Sequence, residues 1–133
     1  MAKYVYPAIF TAEENGGYSV SFPDIKGCFT SGETLADAVE MAQDALCLML
    51  FDMEEEGETI PVPSDIKNLP SQNARELLSL VACDTLEYRK MYHNHAVKKT
   101  LTLPGWLNTI AEKQGVNFSQ VLQDALKEKL HVS

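Results

Sequence analysis

A chain of 133 residues, 45% of them hydrophobic and with a net charge of −8, can bury a core without metal or disulfides, as one medium domain or two small ones. It lacks the low hydrophobicity of disordered chains, and no apolar run approaches the roughly 20 residues that cross a bilayer. No long apolar segment follows Met1-Ala2-Lys3-Tyr4, so no secretion signal is read and a cytoplasmic protein without a membrane partner is expected.

Strand signals come first. Tyr4 to Phe10 is rich in aromatic and β-branched residues, Glu13-Glu14-Asn15-Gly16-Gly17 supplies a turn, and Tyr18 to Phe22 alternates apolar with small polar residues. This predicts a hairpin with one buried face. Pro7 lacks a ladder donor and belongs at an edge or a bulge. A third strand is expected around Cys28 to Ser31, after the turn at Pro23 to Gly27.

The period then changes. Leu35, Ala38, Val39, Ala42, Leu46, Met49, Leu50 and Met53 recur at three- and four-residue steps, the stripe of an amphipathic helix lying on a sheet. Thr34 is placed to cap it, with Asp37 at N3. Asp52, Glu54, Glu55 and Glu56 crowd its C-terminal end, where acids oppose the helix dipole. Either that end is frayed and solvated, or it faces a partner. Glu54, Glu55 and Glu56, with Asp24 in the preceding turn, are therefore the candidate partner-binding residues.

Leu77 to Cys83 is an apolar run of strand length that closes the sheet in the order β-β-β-α-β. Thr85 to Tyr92 reads as a short helix and His93-Asn94-His95 as a hinge. The expected organisation is a domain at 1–88, a linker at 89–96 and a second domain at 97–133. Charge divides the chain in the same way. Residues 1–96 hold six Lys and Arg against sixteen Asp and Glu, a net of −10, whereas residues 97–133 hold five against three, a net of +2. An acidic front steers toward a basic partner, while the tail can approach phosphates.

In the tail, Val97, Leu101 and Leu103 share one face of an expected strand, and Lys98, Thr100 and Thr102 share the other. Pro104 at N1 opens a helix with Trp106, Leu107, Ile110 and Ala111, and Gly115 ends it. A second helix, with Ser119 as the expected N-cap, carries Val121, Leu122, Ala125, Leu126 and Leu130. One strand and two short helices cannot cover their own apolar faces. Pairing the strand with its copy across a two-fold axis solves this, with Leu101, Leu103, Trp106, Leu107, Ile110, Val121, Leu122 and Leu126 as the dimer core. The ribbon then presents Lys98, Thr100 and Thr102 to a DNA major groove, with Lys99, Asn117 and Ser119 near phosphates. This is a ribbon-helix-helix arrangement, and operator DNA and a second copy are its expected partners. Association beyond the homodimer stays open.

The stretch VKKTLTLPGWLNTIAEKQGVNFSQVLQDALKEKL, residues 97–130, resembles the C-terminal ribbon-helix-helix of HicB-type antitoxins from HicA/HicB toxin-antitoxin pairs. The front, through GYSVSFPDIKGC and GETLADAV, is similar to the N-terminal domain of the same family. The resemblance spans nearly the whole chain except about 60–76. It implies an α+β fold with a partial RNase H-like front domain that neutralises a HicA-type mRNA-cleaving ribonuclease, and a tail that represses the operon. The alternative reading is a ligand-sensing ribbon-helix-helix regulator without a toxin partner.

No catalytic residue, metal or cofactor is expected. Two-metal nucleases need several converging carboxylates, one of them on the central strand, and Tyr4 to Phe10 carries none. Cys28, Cys47 and Cys83 form no C-x-x-C pair and read as buried free thiols. His93 and His95 have no third ligand at metal spacing.

Overall fold

The computed structural model describes residues 2–69 and 73–133; Met1 and the part of the expected polar loop at 70–72 lie outside the described residues. The chain divides into two compact units, with the boundary between His95 and Ala96.

In the first unit, β1 (Lys3–Ala12), β2 (Tyr18–Ser21), β3 (Phe29–Gly32) and β4 (Glu76–Asp84) form an antiparallel sheet in the order β3-β2-β1-β4. Alternation along β1 turns Tyr6, Ala8 and Phe10 toward one face, beside Val20 of β2 and Val81 and Cys83 of β4. Helix α1 (Leu35–Glu55) covers that face with Ala38, Ala42, Leu46 and Leu50. These four recur every fourth residue, so the buried stripe is narrower than expected, and Leu35 and Val39 are exposed. The Thr34 hydroxyl accepts from the Asp37 N–H at 3.1 Å, the cap that the sequence predicts.

The third strand begins at Phe29 because Cys28 still belongs to the turn, where its N–H bonds the Ile25 carbonyl. Pro7 sits in an interior strand, but the β2 register ends at Ile9, so at Pro7 β1 is paired only with β4. After α1 a short 3-10 turn, Ile66–Asn68, precedes β4, and α2 (Thr85–Tyr92) follows it. Residues 89–92, expected as linker, are thus the last turn of a helix, and their backbone is ordered by α2 itself.

Gly32 is where β3 passes α1 at closest approach. A Cβ there would fall on the Ala38 backbone nitrogen and lie 2.7 Å from the Ala38 Cα. Backbone cannot rotate away as a side-chain tip does, so Gly32→Ala must push the helix off the sheet. The expected cost is about 1 to 3 kcal/mol or more, read as a lower urea midpoint with an unchanged slope.

In the second unit, α3 (Gly105–Lys113) and α4 (Phe118–Leu130) are joined through Gly115, whose φ of +67° a residue with a Cβ adopts at a cost. Pro104 is the residue before α3 rather than its first, and Asn117 rather than Ser119 caps α4, its side chain accepting from the Gln120 N–H at 3.1 Å. Residues 97–103, expected as a strand, carry no ladder in the single chain. A strand is defined by hydrogen bonds to a neighbour, and this unit contains no other strand among the described residues.

Candidate functional site

The second unit has no core of its own. No residue of α3 or α4 is buried, and all eight residues expected to form a dimer core are exposed, Leu101 at 56% and Trp106 at 67%. Leu101, Leu103, Phe118, Val121, Leu122 and Ala125 line an open groove of about 500 Å³. Lys98, Thr100 and Thr102 are exposed as well, as are Lys99, Asn117 and Ser119. Ser119 lies in the first turn of α4, so its hydroxyl does not cap the helix, whereas the Asn117 carboxamide oxygen does.

The acidic end of α1 is neither frayed nor wholly free. Tyr4 and Thr85 both donate their hydroxyls to Glu54 Oε2 at 2.9 Å, and Arg89 Nη2 donates to Glu54 Oε1 at 3.0 Å. Arg89 Nη1 pairs with Glu55, and its guanidinium lies 4.7 Å from the Phe51 ring centroid. This ties α1 to α2 and to one end of the sheet. Asp24 is engaged too: its carboxylate accepts the Ser64 N–H at 2.9 Å and the Ser64 hydroxyl, fixing the segment after α1 against the β2–β3 turn. Of the four acids proposed from the sequence, only Glu56 is exposed with no side-chain partner among the described residues.

A separate open groove of about 530 Å³ runs between α1, the end of β4 and α2. Met41, Cys47, Tyr88 and Met91 are among its lining residues, and Glu40, Asp44, Asp84 and Glu87 are its charged groups. The three cysteines are buried. Burial pushes Cys28 up to about 11, and the hydrogen bond with Cys47 together with burial pushes Cys83 up, so Cys28 and Cys83 are thiols rather than nucleophilic thiolates, whereas the same hydrogen bond with Cys83 draws Cys47 down. Among the described residues no group of three or more His, Cys, Asp or Glu could hold a metal, and no helix is long and apolar enough to cross a membrane.

The family model described as "HicB_like antitoxin of bacterial toxin-antitoxin system" matches residues 6–125. The chain belongs to the HicB-like antitoxin family. It is similar to Antitoxin HicB of Escherichia coli K12, 48% identical over 64 residues that cover 47% of this chain and 46% of that one. Antitoxin HicB 1 of Photorhabdus laumondii is 41% identical over 81 residues, 58% of this chain and 52% of that one. The chain spans about half the length of these curated relatives. Among solved structures, a toxin-antitoxin complex from Streptococcus pneumoniae superposes with a TM-score of 0.61 at 31% identity, covering 96% of this chain and 99% of that one. The antitoxin HicB3 crystal structure matches with a TM-score of 0.53 at 29% identity over 98% and 99% of the two chains.

In this HicB-like chain, Arg89, Tyr4 and Thr85 are the residues that sequence reasoning passed over. The Glu54 side chain is only 9% exposed. Burial pushes its carboxyl up, but the hydrogen bonds it accepts, with Tyr4, Arg89 and Thr85 among the donors, outweigh that and hold it at about 2. Its folded value thus lies below its unfolded one. The stability it contributes is present above the unfolded value and is lost as pH falls from about 5 toward 2, on the order of 3 kcal/mol. Urea midpoints measured across that window should fall steeply for the wild type and much less for Glu54→Gln. Equal slopes for the two would remove Glu54 from the account.

Proposed function

We propose that this chain is an antitoxin whose first unit binds and neutralises a cognate HicA-type ribonuclease, and whose second unit dimerises as a ribbon-helix-helix and represses its own operon. Membership of the HicB-like antitoxin family is the observation that carries the first half. The exposed apolar faces of the second unit support the second half, because a unit without a core needs a twin to hold it. Two-stranded pairing of residues 97–103 would supply the missing ladder, place Lys98, Thr100 and Thr102 in a major groove, and bring Lys99, Asn117 and Ser119 near phosphates. The first unit is assigned as a partial RNase H-like domain. Its sixteen acids against six bases favour a basic partner. Glu56 and the acid-rimmed groove are its open acidic surfaces, while Asp24, Glu54 and Glu55 act by shaping that unit.

The ligand-sensing alternative would need an enclosed apolar pocket, and the groove of the first unit is open and ringed by acids. The test is to co-express this chain with the product of the neighbouring reading frame, expected to be a short basic protein. That protein alone should arrest growth and degrade mRNA, and this chain should relieve both. If it is harmless, and this chain instead copurifies with a metabolite, the antitoxin reading fails.

A further inference from the structure

Strand β4 is an edge strand nine residues long, and from Leu77 to Cys83 it carries no charge, no proline and no glycine. Proteins blunt long edges with such residues because unpaired peptide groups recruit other strands. The opposite edge, β3, has four residues.

Four hydrogen bonds define which peptide groups of β4 face outward. Ala12 N–H bonds the Arg75 carbonyl at 2.8 Å and Thr85 N–H bonds the Ala2 carbonyl at 3.0 Å, so odd-numbered residues point toward β1. Even-numbered residues therefore point away. In agreement, Glu76 N–H turns back to Asn73 at 3.1 Å, and the Ala82 carbonyl accepts from the Gln43 side chain at 3.1 Å. Between these two closed ends, Leu78 and Leu80 keep both N–H and C=O without a partner among the described residues. The Leu80 side chain, on the open face of the sheet, is 54% exposed.

We propose that this edge pairs with the same edge of a second copy, antiparallel, about a two-fold axis at Ser79. Both sheets must keep their helices on the same side, so the sum of paired residue numbers is even. Centring on Leu80 would set Glu76 opposite Asp84 and direct Leu78 to an Ala82 carbonyl already occupied by Gln43. Centring on Leu78 would call on the Glu76 N–H, which Asn73 holds. Centring on Ser79 pairs Leu78 with Leu80 in both directions and uses all of their free groups. It also sets Leu77 opposite Val81, and the ladder stops before Glu76 and Ala82, whose outward N–H and C=O stay with Asn73 and Gln43. The product is a continuous sheet of eight strands, independent of any pairing through the second unit.

The pairing residues are uncharged while the first unit as a whole is strongly acidic, so this association should tighten as salt screens repulsion. A basic partner would do the opposite.

The decisive experiment is cross-linking of the full-length Ser79→Cys variant. Directly opposed, non-hydrogen-bonded residues have Cα atoms about 4.5 Å apart, within disulfide range. Mild oxidation should give a linked dimer that neither the wild type, with its three buried thiols, nor Leu80→Cys forms. In parallel, Leu80→Arg should halve the mass measured by light scattering while leaving the circular dichroism spectrum unchanged. No excess of linked dimer for Ser79→Cys, or an unchanged mass for Leu80→Arg in folded protein, overturns the proposal. If Ser79→Cys does not cross-link and Leu80→Arg loses only a basic partner, the edge belongs to that partner's strand and self-pairing is wrong.

Discussion

Alanine at Lys98, Thr100 and Thr102 together is expected to abolish specific operator binding while leaving thermal stability nearly unchanged. All three side chains are exposed in the single chain, and in a period-two strand they lie opposite the face that carries Leu101 and Leu103. Each lost base contact costs about 1 to 3 kcal/mol, so three per strand should weaken binding by roughly 100-fold or more. Leu101→Ala should act differently, removing core packing worth about 2 to 5 kcal/mol from the dimer and unfolding the second unit. Gel shifts on the chain's own promoter, with melting curves alongside, separate the two effects. Full operator binding by the triple variant would leave the tail as a dimerisation device only.

A chain ending at Asn94 is expected to lose DNA binding and the tail-mediated dimer outright, yet to remain folded and bind the toxin. The core of β1, β2, β4 and α1 is built wholly from residues before the unit boundary, as is the Glu54–Arg89 junction. Its association with a basic ribonuclease should be fast at low salt and slow as salt rises, with a smaller change in dissociation. Sedimentation and stopped-flow binding read these outcomes. A fragment that unfolds, or that keeps the full chain's number of subunits, is incompatible with two units of which the second carries a dimer interface of its own.

Much of the first unit was legible because its signals are local. The hairpin, the Thr34 cap and the helix at Thr85–Tyr92 follow from turn residues and side-chain period, and the structure places them where the sequence does. Leu35 and Val39 were assigned to the buried stripe because hydrophobicity alone does not reveal the width of the face a sheet will cover. The roles of Glu54 and Arg89 were illegible for a different reason. Their bond joins residues 35 apart, and an acid at a helix end looks the same whether water or a guanidinium awaits it. The available signal was compositional: Arg89 is one of two arginines in an otherwise acid-rich front, next to aromatic residues that can shield it. The expected tail strand is not seen in the single chain, because residues 97–103 have no neighbouring strand among the described residues of their own unit to pair with.

Neutralisation of a ribonuclease is measured most directly as RNA cleavage by a purified HicA-type companion titrated with this chain. Cleavage should fall linearly and reach zero at a fixed molar ratio, with residues 1–94 giving the same endpoint as the full chain. Cleavage that persists undiminished at excess chain, with folded and active components, would contradict the account.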